Sequence, residues 1–368
     1  MDIHDLTIGI EEEYQIIDPE TRELTSYISE ILDQGAVVFR DQVKPEFLQS
    51  QIETGSHVCR NIKEARAEVK RLRTMVADIA DKNNRKIVAA GTHPFSRWQD
   101  QIITDKERYK TLVKDMHLIA QRLLIFGMHV HVGIPDKNMR IDIMNQIAYF
   151  VPHILTLSTS SPFWAGRYTG LKSYRSVVFE DLPRTGLPEY FDSYQEFERY
   201  TDTLVKTGCI DEPTKIWWDV RPHPQFPTLE FRMSDCITKM DDVIAVAALI
   251  QAVVAKLIQL RENNQTWRIY RRGLLAENKW RAIKDGIDGK LIDFGCQKEV
   301  PVRFLMRELL EFVDDVVDQL GTREEIEHIN TILEQGTSAD RQLKKYNETN
   351  SMEAVVDMLA DETVIGCW

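Results

Sequence analysis

Polar and apolar residues alternate with a period of two in several short runs of the chain, the spacing that sends one row of side chains into a core and the other onto an open face. Thr7 to Asp18 is the first run. It contains Gly9-Ile10-Glu11-Glu12-Glu13-Tyr14-Gln15, so Glu11 and Glu13 leave an extended chain from one face. Lys86 to His93 reads as a second strand. Phe126 to Ile134 is a third, in which Met128, Val130, Val132 and Ile134 point away from His129 and His131. Lys215 to Arg221 and Thr228 to Met233 complete the set, and the last aims Glu230 and Arg232 opposite Leu229, Phe231 and Met233. Such strands predict an antiparallel sheet with helices over one face and a cleft over the other, an α+β fold.

Between the strands the period changes. Ile62, Ala65, Val69, Leu72, Val76 and Ile79 repeat at three- and four-residue steps, and so do Tyr109, Leu112, Met116, Ile119 and Leu123, as amphipathic helices require. A helix from about 139 to 160 contains Pro152, which removes a backbone donor and should kink or split it. Pro301 starts another helix and Gly321 stops it. Val243 to Leu260 is the most apolar stretch, but Gln251, Lys256 and Gln259 within it favour a buried core helix over a membrane span. Helices dominate from about 237 onward. No repeat, low-complexity segment or long linker divides the chain, so residues 1–368 are expected to form a single domain with one cleft. The segment from Pro183 to Pro227, rich in proline, glycine and aromatic residues, is expected to lay loops over that cleft or simply to connect elements at the surface, with Thr185-Gly186-Leu187-Pro188 as a flexible point.

With 368 residues the chain can bury the core of one large domain or two joined ones. A net charge of −12, without a block of consecutive lysines or arginines, argues against nucleic acid or an anionic membrane as partner and leaves small molecules. The five cysteines (Cys59, Cys209, Cys236, Cys296 and Cys367) form no C-x-x-C pair and read as free thiols in a reducing compartment. Met1-Asp2-Ile3-His4-Asp5 lacks the basic and apolar regions of a signal peptide, so a cytoplasmic location is expected.

Two carboxylates as close as Glu11 and Glu13 repel, and inside a cleft they need a cation or a set of donors; hard oxygen ligands suit Mg²⁺ or Mn²⁺. A charged edge strand is the other use of such residues. His129 and His131 can bind a divalent ion, or one can donate to a phosphate, and the flanking Gly127 and Gly133 let another group approach the backbone closely. Glu230 and Arg232 also fit a plain ion pair. Glu46 and Glu53, seven residues apart, would face opposite ways on a regular strand and converge only if the chain bulges or turns between them. Arg167, Arg175 and Arg221 supply positive charge. A solvated loop would equally explain Arg167, whereas Arg175 and Arg221 lie in aromatic sequence where an unpaired charge is costly. The chain has no G-x-x-x-x-G-K-[ST] loop, no G-x-G-x-x-G opening a helix and no G-x-S-x-G elbow. Acids, histidines and arginines together suit a nucleoside triphosphate bridged by metal ions.

With these residues assembled, the chain resembles the carboxylate-amine ligases of the bacterial glutamate-cysteine ligase type 2 family, within the glutamine synthetase superfamily. The resemblance runs nearly end to end. It rests on Ile8 to Tyr14, Glu46 to Thr54, Gly91-Thr92-His93-Pro94-Phe95, Met128 to Gly133, Ser160-Ser161-Pro162-Phe163-Trp164 with Gly166-Arg167, Trp218 to Pro222, Thr228 to Arg232, and Glu277 to Ala282. It implies a glutamine synthetase-like, saddle-shaped antiparallel β-sheet backed by helices, with ATP and a substrate carboxylate meeting over the concave face. By likeness, Glu11, His129 and Glu230 would hold the ion on the transferring phosphate, and Glu13, Glu46 and Glu53 the ion nearer the amino-acid substrate. His131 would touch phosphate, Arg232 would stabilise the phosphoryl group or hold the acyl substrate, and Arg175, Arg221 and Arg167 are candidate nucleotide or phosphate contacts, Arg175 with a catalytic part as well. The implied reaction is ATP-dependent phosphorylation of an amino-acid carboxylate, glutamate above all, followed by attack of an amine such as cysteine; the implied assembly is a homodimer or higher oligomer. Phosphoryl transfer or hydrolysis without amide formation is the alternative, and a nucleotide sensor without turnover a third. Met128, where relatives carry a smaller residue or cysteine, and Lys284-Asp285-Gly286-Ile287, in place of an arginine-aromatic-glycine-leucine run, leave the amine open.

Overall fold

The computed structural model describes residues 3–28 and 42–368; Met1 and Asp2, at the head of the stretch read for a leader, lie outside them. Among the described residues, seven strands build the central antiparallel sheet: β1 (Ile8–Ile17), β2 (Val43–Pro45), β3 (Gln51–Gly55), β4 (Lys86–Val88), β5 (Gly127–Gly133), β6 (Val220–Pro222) and β7 (Thr228–Asp235). Their order is β6-β7-β5-β1-β3-β2, and β4 pairs with the far end of β1. The expected α+β architecture holds, with helices packed over one face. On β1 the even positions Ile8, Ile10, Tyr14 and Ile16 enter the core, as do Met128, Val130 and Val132 of β5 and Leu229, Phe231 and Met233 of β7.

The helix Ile62–Lys82 starts where Asn61 accepts a hydrogen bond from the Glu64 amide, and it turns Ile62, Ala65, Val69, Leu72 and Val76 inward. Met240–Glu262 lies beneath the sheet between other helices. It has the length and hydropathy of a membrane span, but 83% of its most apolar window is buried inside the protein, which makes it the core helix that Gln251 and Lys256 suggested. Val302–Leu320 begins after Pro301 and ends at Gly321, whose φ of 68° is the left-handed cap that glycine adopts without strain.

The 139–160 helix is split, as Pro152 suggested, into Lys137–Ile147 and Val151–Leu157, with Pro152 in the first turn of the second, where its missing N–H costs nothing. Three expectations need correction. The series from Tyr109 breaks at His117, whose φ of 48° separates Glu107–Met116 from Leu118–Gln121. The strand read from Lys86 to His93 stops at Val88, because the Ala89 and Gly91 amides turn to the hydroxyls of Thr363 and Ser160 instead of a neighbouring strand. Lys215 to Arg221 is likewise broken: Trp217–Trp218 pairs in parallel with Thr185–Gly186, and only Val220–Pro222 joins the main sheet. Thr185–Gly186 is therefore a paired strand, and Tyr194–Lys206 in the same segment is a helix.

Glu12 points the opposite way from Glu11 and Glu13, into the core, and is 2% exposed. The fully buried Arg73 meets it with Nη2 to Oε1 at 2.5 Å and Nε to Oε2 at 3.1 Å. The remaining guanidinium donors reach the carbonyls of Ile237, Thr238 and Thr363 at 2.9, 2.6 and 3.1 Å, so all five N–H bonds are used. Removing one member of such a pair strands the other's charge. Arg73→Met is expected to lower unfolding stability by about 3–5 kcal/mol, and Glu12→Gln combined with it to recover part of the loss. Urea unfolding measures both; an unchanged midpoint in the single variant would contradict the role.

Candidate active site

The open face of the sheet is the floor of a cleft lined by Glu11, Glu13, Glu46, Glu53, His129, Arg175, Arg221, Glu230 and Arg232, with residues of the 211–226 segment on one wall. Register brings these groups together. Glu13 faces Glu53 across β1 and β3, Glu11 faces His129 across β1 and β5, and Glu230 faces both His131 and Arg221 on its two neighbours. Glu46 and Glu53 converge because the chain reverses between β2 and β3, the turn that the sequence required and could not locate.

At one end, Glu13 Oε2 accepts from the Gly127 amide, and among the described residues no cationic side chain hydrogen-bonds its carboxyl group. Burial and the neighbouring Glu46 push its carboxyl up to about 7. Burial, then Glu46, Glu11 and Glu13, raise Glu53 well above the usual range. Tyr109 adds a hydroxyl 3.4 Å from Glu46 Oε2, and Lys44, Lys106 and Arg108 stand on the rim. At the other end the acids are ionised. Burial opposes the charge on Glu230, but Arg232 and Arg221 outweigh it and hold the group well below the carboxylate range. Arg221 gives Nε to Glu230 Oε2 at 2.6 Å and Nη2 to Oε1 at 3.3 Å, and spends its Nη1 donors on the carbonyls of Thr214 and Ile216. Arg232 bonds the same Oε1. Every nitrogen of Arg221 thus has a protein partner, whereas Nε of Arg232 and of Arg175 has none among the described residues.

Glu11 sits between the two ends. Its Oε2 is 3.0 Å from His129 Nδ1 and its Oε1 is 3.5 Å from His131 Nε2. Burial works against its charge, yet these two histidines keep it well below the usual range. Burial, helped by Arg232, lowers His129 to about 4, so that imidazole is neutral near pH 7. Ligand atoms of Glu11, His131 and Glu230 all lie within 4.8 Å of one another. The family resemblance put His129 in that trio; here His129 turns Nδ1 to Glu11 and leaves Nε2 buried without a hydrogen bond, while His131 takes the place among the three. Carboxylates and imidazoles crowded in this way, with unpartnered buried donor atoms among them, fit divalent cations of the Mg²⁺ or Mn²⁺ type.

Arg175 reaches the cleft from the helix Tyr174–Glu180 by lying flat on Gly127; a Cβ there would come within 2.3 Å of its Nη2. The Ser160-Ser161 box explains its placement. Buried Asp235 accepts from the Ser160 amide at 2.8 Å and from the Ser161 and Ser173 hydroxyls at 2.7 Å each, and Ser161 Oγ in turn accepts from the Arg175 amide at 3.0 Å. Arg167, in contrast, is exposed on the small hairpin of Phe163–Trp164 and Arg167–Tyr168, outside the residues that line the cleft. Sequence reading missed several wall residues. Lys44 carried a signal, since it lies two residues before Glu46 and faces Glu53. Tyr109 was read only as a core position. His223 and Phe226 carried none; their rings stack 4.6 Å apart, with His223 beside His131, in the turn of the β6–β7 hairpin whose second strand pairs with β5.

The matching family model is Glutamate-cysteine ligase family 2, over residues 7–358. The chain belongs to this family, and it is a ligase. It is 57% identical over 360 residues to a protein named "Putative glutamate--cysteine ligase 2" of Chloroflexus aggregans, covering 98% of this chain and 92% of the other, and 51% identical over 362 residues to one of the same name from Solibacter usitatus, covering 98% and 94%. Among solved structures, glutamate–cysteine ligase of Francisella tularensis in complex with AMP superposes with a TM-score of 0.74 at 11% identity, over 99% of this chain and 89% of that one. A bifunctional glutathione synthetase of Pasteurella multocida gives 0.73 at 14%, and there the chain spans 53% of a longer protein. At such identities the two structures report the shared fold.

A divalent cation bound by Glu13 and Glu53 has to displace their protons. Titrating Mg²⁺ into the protein near about pH 6 should release protons, seen as calorimetric heats that vary with buffer ionisation enthalpy, and affinity should climb as pH rises through about 7, the value of Glu13. Buffer-independent heats there would count against cation binding by these carboxylates.

Proposed function

We propose that the protein is an ATP-dependent carboxylate–amine ligase that phosphorylates an amino-acid carboxylate, most simply the γ-carboxylate of glutamate, and joins it to an amine such as cysteine with release of ADP and phosphate. The observation that carries this reading is the polarity of one cleft. Protonatable acids crowd one end, and an acid saturated by arginines with two histidines occupies the other. The names of the relatives and the AMP bound to the Francisella enzyme agree with it.

Glu11, His131 or His129, and Glu230 would hold one Mg²⁺, and Glu13, Glu46 and Glu53 a second; when bound, such ions neutralise triphosphate charge and polarise the phosphoryl oxygens. The chain's own groups do the rest. Arg232 and Arg175, each with a free Nε, face the cleft where they can bond an oxygen on which charge develops. Arg221 grips Glu230 and so keeps it ionised. A carboxylate oxygen leaves poorly; once phosphorylated it departs readily, and an amine held in the same cleft attacks before water does. His131, whose protonation Glu11 favours against the effect of burial, is suited to donate to phosphate. We assign the reaction to a single catalytic domain spanning 1–368, acting in the cytoplasm on small molecules and assembled as a homodimer or larger homo-oligomer, with neither nucleic acid nor membrane as partner.

Glu230→Gln should cut ADP release with glutamate and a panel of amines by about 100-fold, since both arginines lose their counter-charge and one ligand is weakened. Undiminished turnover would refute its role. Mass spectrometry of the wild-type products decides the reaction: an amine-dependent condensed product is expected, and ADP formed at the same rate without amine would mean phosphoryl transfer or hydrolysis instead.

A further inference from the structure

Lys279, in the helix Arg272–Asp285, is 5% exposed and lies outside the cleft lining. Its ammonium has three donors. They go to Glu180 Oε1 at 2.6 Å and to Asp219 Oδ1 and Oδ2 at 2.8 and 2.6 Å. Both partners lie on or next to elements that carry cleft arginines. Glu180 is the last residue of the helix that bears Arg175. Asp219 immediately precedes β6 and Arg221; its amide donates to Gly186 O at 2.8 Å and its carbonyl accepts from the Arg232 amide at 2.7 Å. Just there the pairing of β7 with β5 shifts register, between Phe231 and Ser234, so the Asp219 carbonyl anchors Arg232 where the ladder on its other side is irregular.

We propose that Lys279 is a positioning residue for all three cleft arginines, one buried ammonium that fixes the β6–β7 pair bearing Arg221 and Arg232 against the helix bearing Arg175. The proposal rests on the reading of the cleft as a phosphoryl-transfer site, where Arg232 and Arg175 must close on the same group of oxygens from two separate elements. The two elements also meet directly, through Arg175 Nη1 and Nη2 to the Arg232 carbonyl at 3.4 Å each and Ser173 Oγ to Asp235 Oδ1 at 2.7 Å; Lys279 adds the ammonium that binds a carboxylate from each side at once. An ordinary buried ion pair would serve stability alone, and the two roles differ in what survives once the fold is intact.

The test uses the full-length protein with Lys279→Met combined with Asp219→Asn, which leaves no unpaired charge in the interior. The expected variant is folded, binds Mg²⁺ within about twofold of wild type, and has a kcat per folded molecule lower by about 100-fold, the cost of a displacement near 1 Å. Its crystal structure should show the Arg232 and Arg175 guanidinium groups shifted from their wild-type places. Wild-type kcat per folded molecule with the arginines unmoved overturns the proposal. If the double variant fails to fold, Glu180→Gln at the exposed partner removes one of the three bonds; a loss of about tenfold in kcat with a shifted Arg175 is then expected, and no change overturns the proposal. Should the wild-type protein show no ATP-dependent turnover, the ligase reading fails by itself, and the arginine positions in the variant crystals still decide the role of Lys279.

Discussion

Three successive glutamates on β1 cannot all be solvated alike, and the structure depends on how their charges are separated. Glu11 and Glu13 face the cleft while Glu12 enters the core, where Arg73 supplies a bidentate partner. A slip of one residue would bring Glu11 or Glu13 to Arg73, bury the other without a partner and leave only Glu12 on the cleft face. The Glu12–Arg73 pair is therefore a register pin as much as a stabilising contact. Because β1 pairs with β3, β4 and β5, that register is passed on to Glu53 on one side and to the histidines on the other.

The cleft then neutralises its acids by two different means. Around Glu230 the protein supplies its own cations, Arg221 and Arg232, whose charge favours the ionised carboxylate. Around Glu13, Glu46 and Glu53 it supplies no hydrogen-bonded cation among the described side chains, and burial with mutual repulsion raises Glu13 and Glu53 instead. An end so arranged is suited to exchange protons for an added cation, and the arginine end is suited to an anion. A ligand negative at one end and metal-bridged at the other matches this gradient, as a triphosphate beside an amino-acid carboxylate would.

The parts legible in the sequence were those with one face buried. In β5 and β7 the apolar complement is strict, and in β1 only Glu12 interrupts it, so period two alone identified both the strands and their cleft-facing rows. What failed was decided by contacts far away in the chain. Val88 ends β4 because Thr363 and Ser160 capture the next amides, and the run through Asp219 breaks because that residue serves Lys279, sixty positions later, and Gly186. The convergence of Glu46 with Glu53 needed a chain reversal whose position no short motif announced. Whether His129 or His131 joins Glu11 and Glu230 depends on ring orientation, which spacing cannot express, and Arg167 lay in a motif shared with cleft residues yet emerged on an exposed hairpin.

These long-range contacts also explain why the helical part beyond residue 237 belongs to the site's machinery. Thr363 accepts from Arg73 and caps the end of β4, Gln342 donates to the Ser160 carbonyl at 2.8 Å, and Lys279 holds the two elements that carry the arginines. A cleft of converging carboxylates opposes its own closure, and the sheet alone, polar on one whole face, has little apolar contact to offset that repulsion. The C-terminal helices supply both the buried area, through Met240–Glu262, and the directional bonds, through Lys279, Gln342 and Thr363. Area without those bonds would stabilise many arrangements of the strand ends; the bonds select the one in which acids and arginines face each other across a single space.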